Sequence, residues 1–314
     1  MIRSRGSVPA PSRRLRALVA LLRVTAKPAL ARMSGPEAAR RAFERAAAWG
    51  LLRRPPFVLH LVDDGAPPIH WVSSGRSRVR GVILYLHGGA YIAGSPATHA
   101  GLAARLSRLS GVRVALPAYR LAPDHPGPAA FDDARAAHAA LCARGYRPGE
   151  IVLAGDSAGG GLALALLADL CASGQAPAGV IAFSPWVDLT LSGASLRENA
   201  RADPLLPVAR AEEVVGYVRG PLAADDPRLS PLFSRFERPP PAMIEVGETE
   251  ILRDDALRMA DRLRAAGGEV RLGVRPLVPH AWPLFDGWVP EARQTLHGAA
   301  RFVAEVLPRP RGRS

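Results

Sequence analysis

The sequence predicts an α/β protein built on one mostly parallel sheet with helices on both faces. Three observations predict it. Short β-branched runs alternate with helical patterns from about residue 57 onward, the order that arises when parallel strands are joined by helical crossovers. A serine flanked by glycines, Gly155-Asp156-Ser157-Ala158-Gly159, stands where one such strand meets the next helix. The 314 residues are 48% hydrophobic and 22% charged, enough apolar side chain for a large core and too much for a disordered chain.

Residues 1–52 read as Ala/Arg-rich helix and are expected to form an N-terminal cap. Arg3, Arg5, Arg13 and Arg14 precede an apolar stretch, 15–22, that Arg16 interrupts and Arg23 closes. That stretch is too short and broken for a secretory leader, so a cytoplasmic protein is expected. Leu15, Leu18, Leu21 and Leu22 recur at helical spacing, and the competing reading is an amphipathic helix lying on an anionic membrane or over the site. No run of 18 uncharged apolar residues occurs, so no integral membrane segment is expected.

Residues 53–314 are expected to form the catalytic domain. The runs 57–62 and 69–72, separated by Asp63-Asp64-Gly65, predict an antiparallel hairpin in which Gly65 supplies a positive φ. Further strands are predicted at 81–86, 112–116, 151–154, 180–183, 242–246 and 270–274, with helices at 98–109, 129–143, 159–172 and 256–266. About sixty residues separate the strands ending at 183 and beginning at 242, more than a crossover needs. That insert has a helix-like 208–218 and prolines at 204, 207, 221 and 227, and its part near 190–222 is expected to complete the cap. The tail from Pro308 is expected to be frayed.

A net charge of +13 invites a nucleic-acid reading. Its distribution argues against one. Lys27 is the sole lysine, and the arginines are scattered among alanines and prolines along the whole chain, so no nucleic-acid partner is expected. Cys142 and Cys171 fall in helical patterns and read as buried free thiols.

A hydroxyl becomes a nucleophile only when a base takes its proton and its geometry presents it to a carbonyl. Ser157 has the strand, sharp turn and helix that such a nucleophile elbow requires, and the tight turn explains glycine at 155 and 159. The helix start also turns free N–H groups toward the site. His87-Gly88-Gly89-Ala90-Tyr91 follows the 81–86 strand directly. Its bare N–H groups can approach a developing oxyanion, making Gly88, Gly89 and Ala158 the candidate donors. His87 reads as a loop-ordering side chain.

The base should follow the last strand, and His280 is the histidine between it and the final helix; His297, inside that helix, reads as a surface residue. The acid should follow the 242–246 strand, where Glu248, Glu250, Asp254 and Asp255 all stand. Asp254 and Asp255 read as first-turn carboxylates of the next helix. Glu250 keeps the loop position suited to orienting His280 and is preferred, with its neighbours still open.

With these residues in hand the chain resembles the hormone-sensitive-lipase-like family of esterases, the bacterial family IV or α/β-hydrolase fold-3 group. The resemblance covers about residues 57–305. It rests on 87–91, on Tyr119-Arg120-Leu121-Ala122-Pro123-Asp124-His125-Pro126, on the elbow with Gly160, on Ser184-Pro185-Trp186-Val187-Asp188-Leu189, and on Glu250-Ile251-Leu252-Arg253-Asp254-Asp255. Five runs in the family's order make it specific. It implies an α/β-hydrolase fold with an eight-stranded sheet, a helical cap, no cofactor, no metal, and action on short to medium acyl esters. It also places the triad carboxylate at Glu250. Ala90 stands where many members have Gly, and Asp124 where Glu is commoner.

Tyr91, Trp186 and Trp282 are the candidates for lining a substrate pocket, and Asp156 with Arg120 for ordering the elbow loop. The expected partner is a small-molecule ester; a homodimer stays open. A non-catalytic small-molecule receptor on the same fold is the rival from another class, and retention of His280 speaks against it. Amide, lactone and carbamate hydrolysis would use the same triad.

Overall fold

Eight strands form one sheet in the order β1-β2-β4-β3-β5-β6-β7-β8. The computed structural model describes residues 10–48, 55–75 and 80–308. The expected boundary between 52 and 53 and the tail beyond 308 therefore lie outside the described residues. The chain opens with helices α1 (Arg13–Val24), α2 (Ala26–Ala31) and α3 (Gly35–Ala48), then enters the hairpin β1 (Val58–Asp63) and β2 (Ile69–Ser74). There follow β3 (Val82–Leu86), α4 (Pro96–Ser110), β4 (Arg113–Pro117), α5 (Ala129–Ala143), β5 (Ile151–Asp156), α6 (Ala158–Ala172) and β6 (Gly179–Phe183). The long insert carries α7 (Ser195–Glu198) and α8 (Ala211–Arg219); β7 (Ala242–Gly247), α9 (Arg253–Ala265), β8 (Val270–Arg275) and α10 (Pro290–Val306) complete the chain.

β2 runs antiparallel to β1 and β4, and every other pairing is parallel. The hairpin forms as expected, but Gly65 does not have a positive φ. Its turn is made instead by a five-residue connection, 64–68, with a cis Ala66–Pro67 bond.

Side-chain alternation along the strands divides the core into two layers. In β3, Val82, Leu84 and Leu86 join the cluster under α5, α6 and α9, whereas Ile83 and Tyr85 join the one under α4 and α10. β3 and β5 are neighbours, yet the chain leaves β3 toward β4 and leaves β5 toward β6. At such a reversal, the carboxyl ends of the strands are where α/β sheets bind ligands. The two glycine-bearing motifs meet there.

The three N-terminal helices are tied to the insert and to the loops of the sheet. Lys27 Nζ donates to the carbonyls of Ala200 and Asp203, both at 2.7 Å. Arg23 reaches the Ala202 carbonyl at 3.0 Å, and Arg210 of the insert reaches the Met33 carbonyl at 2.5 Å. From α3, Arg40 donates to the carbonyls of Ile92 (2.9 Å) and Ala122 (2.8 Å) and pairs with Asp124 at 2.7 Å.

Candidate active site

Ser157 is the hinge between β5 and α6, with φ 55° and ψ −127°. A non-glycine residue pays for such a backbone, and it persists only where its surroundings fix it. Here its N–H donates to the Phe183 carbonyl at 2.8 Å, and its carbonyl accepts from Gly161 and Trp186, both at 3.0 Å. Closeness to the β3 strand demands glycine behind it: a Cβ on Gly159 would stand 2.1 Å from the Leu86 carbonyl oxygen.

His280 Nδ1 lies 2.6 Å from Glu250 Oε2. The other carboxylate oxygen of Glu250 accepts from the Gly247 N–H at 2.6 Å and the Ser184 hydroxyl at 2.7 Å. Ser184 Oγ in turn accepts the N–H of Ala281 at 3.1 Å, so one buried hydroxyl links the Glu250 carboxylate to the backbone beside His280. Asn199 Nδ2 donates to the carbonyls of Glu248 and Glu250, and the buried Asp203 accepts the Ile251 N–H at 2.9 Å. Burial lowers the His280 pKa, but the Glu250 hydrogen bond and charge, with Asp203 and Asp156 behind them, outweigh it and raise the pKa above 6.5. Asp254 and Asp255 are engaged elsewhere, by the N–H groups of Ser195 and of Val187 and Asp188 respectively.

The glycine loop departs from expectation at one donor. The Gly88 N–H points inward, 3.2 Å from Asp156 Oδ1 and 3.3 Å from His99 Nε2. A Cβ there would meet the Asp156 carboxylate at 2.2 Å, so this glycine makes room for the carboxylate and its N–H is already committed. Among the described residues, the N–H groups of Gly89, Ala90 and Ala158 donate to no hydrogen-bond partner. Ala90 has φ 55°, a conformation that glycine adopts at less cost, which gives a physical reason for glycine being common at this position.

The pairing of Asp156 with Arg120 does not form. Arg120 grips Asp133 with hydrogen bonds of 2.7–3.1 Å. Asp156 accepts instead from Tyr85 Oη at 2.8 Å and lies 3.2 Å from His99 Nε2. Burial raises the Asp156 pKa, and the His99 and Tyr85 contacts overcome it, leaving the carboxyl below its ordinary value. His87 stacks on Tyr119 at 4.2 Å, and burial pushes its pKa down to about 3, so it is a neutral loop-ordering ring. His297 is exposed on α10.

Trp282 does not line a pocket. It is 0% exposed, packs with Leu15, Val19 and Leu22 of α1, and its indole N–H donates to Thr295 Oγ1 at 3.0 Å. Tyr91 and Trp186 lie beside the elbow with ring centroids 6.3 Å apart. Cys171 is buried and Cys142 only partly so, both as free thiols. Among the described residues no cluster of three or more His, Cys, Asp or Glu side chains suits a metal ion, and no helix is long and apolar enough to cross a membrane. Ser184 stands in one of the motif runs, yet its bridging role is not legible there, and Asn199 and Asp203 lie outside all five runs; the turn signal Asp203-Pro204 marks one of them.

Comparison with known proteins gives the family. Residues 83–284 match the α/β hydrolase fold family. A solved esterase of the bacterial hormone-sensitive lipase family superposes with a TM-score of 0.88 at 33% identity, covering 96% of this chain and 100% of that one. The chain belongs to the hormone-sensitive-lipase family of α/β-hydrolase esterases. An esterase from Acinetobacter venetianus is 36% identical over 227 residues, 72% of this chain and 75% of that protein. An acetyl-hydrolase from Streptomyces hygroscopicus is 37% identical over 272 residues, 85% of this chain and 89% of its own. Membership in this family makes the protein a carboxylesterase-type serine hydrolase.

Proposed function

We propose that Ser157, His280 and Glu250 are the catalytic triad, and that Gly89, Ala90 and Ala158 hold the oxyanion. The observation that carries the reading is the strained Ser157 at the start of α6 together with the 2.6 Å contact of His280 with Glu250. Neutral His280 takes the serine proton as the oxygen attacks the ester carbonyl. Charge then moves onto the carbonyl oxygen, where N–H groups without other partners stabilise it. His280, now protonated, gives its proton to the departing alcohol, and a water repeats the sequence on the acyl-enzyme.

The substrates are short to medium acyl esters, a reading supported by the acetyl-hydrolase among the relatives. Tyr91 and Trp186 border the acyl group. Helices α1–α3 and the insert roof the site as a cap, supported by the bonds of Lys27, Arg23 and Arg210 between them. The protein is cytoplasmic and binds no nucleic acid; pairing of its arginines with carboxylates, as in Arg120–Asp133 and Arg228–Asp226, supports the latter. A series of p-nitrophenyl esters from acetate to palmitate, beside an amide and a lactone, tests the substrate class. Highest kcat/KM is expected at the short end, and hydrolysis of long chains alone would overturn it.

A further inference from the structure

The outward face of α1 takes no part in the chemistry described above. Its inner side buries Leu15, Val19 and Leu22 against Val278, Trp282, Phe285 and Val289. On the opposite side, at helical spacing, stand Arg13, Arg14, Ala17, Leu21 and Val24, and all are exposed, Leu21 by 54% and Val24 by 72%. Cations and aliphatic side chains therefore share one stripe.

That stripe adjoins two cavities of about 430 and 280 Å³ that share Asp286 and Arg293 as lining residues. Arg13, Arg14 and Trp288 line the first, Arg105, Arg108 and His297 the second. Five arginines thus line the two cavities, and Asp286 is the one carboxylate lining them. Asp286 is buried and already accepts from Arg105 at 3.0 Å and Arg293 at 3.4 Å. Among the described residues Arg13, Arg14 and Arg108 form no ion pair, unlike Arg120, Arg228 and Arg275, each of which has a carboxylate of its own. Trp288, 42% exposed, sits amid this charge.

We propose that this face, formed by α1, residues 286–290 and the outer surfaces of α4 and α10, docks the protein on an anionic phospholipid surface. Guanidinium forks match phosphodiester oxygens. Exposed leucine and valine beside them enter the headgroup layer, the side-chain set of a helix that lies in a membrane interface without crossing it. A soluble phosphate would use the groove alone and leave the aliphatic stripe of α1 unexplained; a lipid surface uses both. The proposal goes beyond the hydrolytic reading and requires none of its residues.

Flotation of the full chain with vesicles tests it. Binding is expected to vesicles of phosphatidylcholine with phosphatidylglycerol and not to phosphatidylcholine alone. Replacing Arg14→Glu with Arg108→Glu should weaken partitioning at least about tenfold, and Leu21→Ser with Val24→Ser should weaken it as well. A control pair on the other side of the sheet, Arg135→Glu with Arg264→Glu, should bind like the parent, which separates this face from the general attraction of a +13 chain. Unchanged hydrolysis of a soluble p-nitrophenyl ester shows that each variant is folded. Equal binding to both vesicle types, equal losses in the two charge-reversed pairs, or undiminished binding by the Arg14/Arg108 pair would overturn the proposal.

Discussion

His280 stands between opposing demands: burial favours its neutral ring, and the Glu250 carboxylate favours the cation. The cation gains more, so the pKa lies above 6.5. A base must be neutral to accept the serine proton, so kcat/KM should fall as pH drops through a midpoint above 6.5. By linkage the same shift stabilises the fold below 6.5 and loses that contribution as pH rises through the folded-state value. Glu250→Gln removes the charge that raises the pKa. It should move the acid limb downward and cut kcat by a factor on the order of 10⁴, as expected when an orienting acid is neutralised. An unmoved limb in a pH–rate profile would deny Glu250 that role. At this scale the sequence was readable where backbone geometry leaves a mark, as with the glycines at 155 and 159. It was not readable for Gly88, because the direction of an N–H depends on Asp156 and His99, which the fold brings in from distant elements.

At the scale of elements, the loop that carries His280 packs against α1. Trp282 lies two residues beyond the base and looks in sequence like a pocket residue; its true neighbours, Leu15, Val19 and Leu22, come from the opposite end of the chain. Nothing local encodes that contact. Trp282→Ala should therefore lower stability by about 3–5 kcal/mol, the cost of emptying a large buried site. Denaturant melts would measure the loss, and the remaining folded enzyme should keep the parent's order of preference among acyl chain lengths. A changed preference with unchanged stability would return Trp282 to the pocket wall. The strands and most helices were legible because alternation and helical spacing are local properties. The β1–β2 turn departs from the expectation because Asp-Gly is a strong signal for a two-residue turn, whereas the five-residue connection here leaves Gly65 without a positive φ.

For the whole molecule, the α/β class and the parallel sheet followed from element order alone, whereas the insert's attachment to the N-terminal helices depends on contacts such as Lys27 with the Ala200 and Asp203 carbonyls. One buried group also marks the molecule's response to pH. Burial, with the neighbouring Asp188 charge, pushes the Asp255 carboxyl up to about 7, against its ordinary 3.8. Between these values the folded protein holds a proton that the unfolded chain has released, so this group makes stability fall as pH rises across that window. Asp255→Asn keeps an acceptor for the Val187 and Asp188 N–H groups and removes the titration. Its melting temperature, relative to the parent, should rise more at roughly pH 8 than at roughly pH 5. An offset independent of pH would contradict the assignment.

Ser157 bears the central claim, and covalent capture tests it most directly. An ester-mimicking phosphonate should add once per chain, and peptide mapping by mass spectrometry should locate the adduct on Ser157. Ser157→Ala should take up no label and lose a factor on the order of 10⁴ to 10⁶ in kcat while keeping its fold. An adduct on another residue, or parent-like ester turnover by Ser157→Ala, would contradict the account.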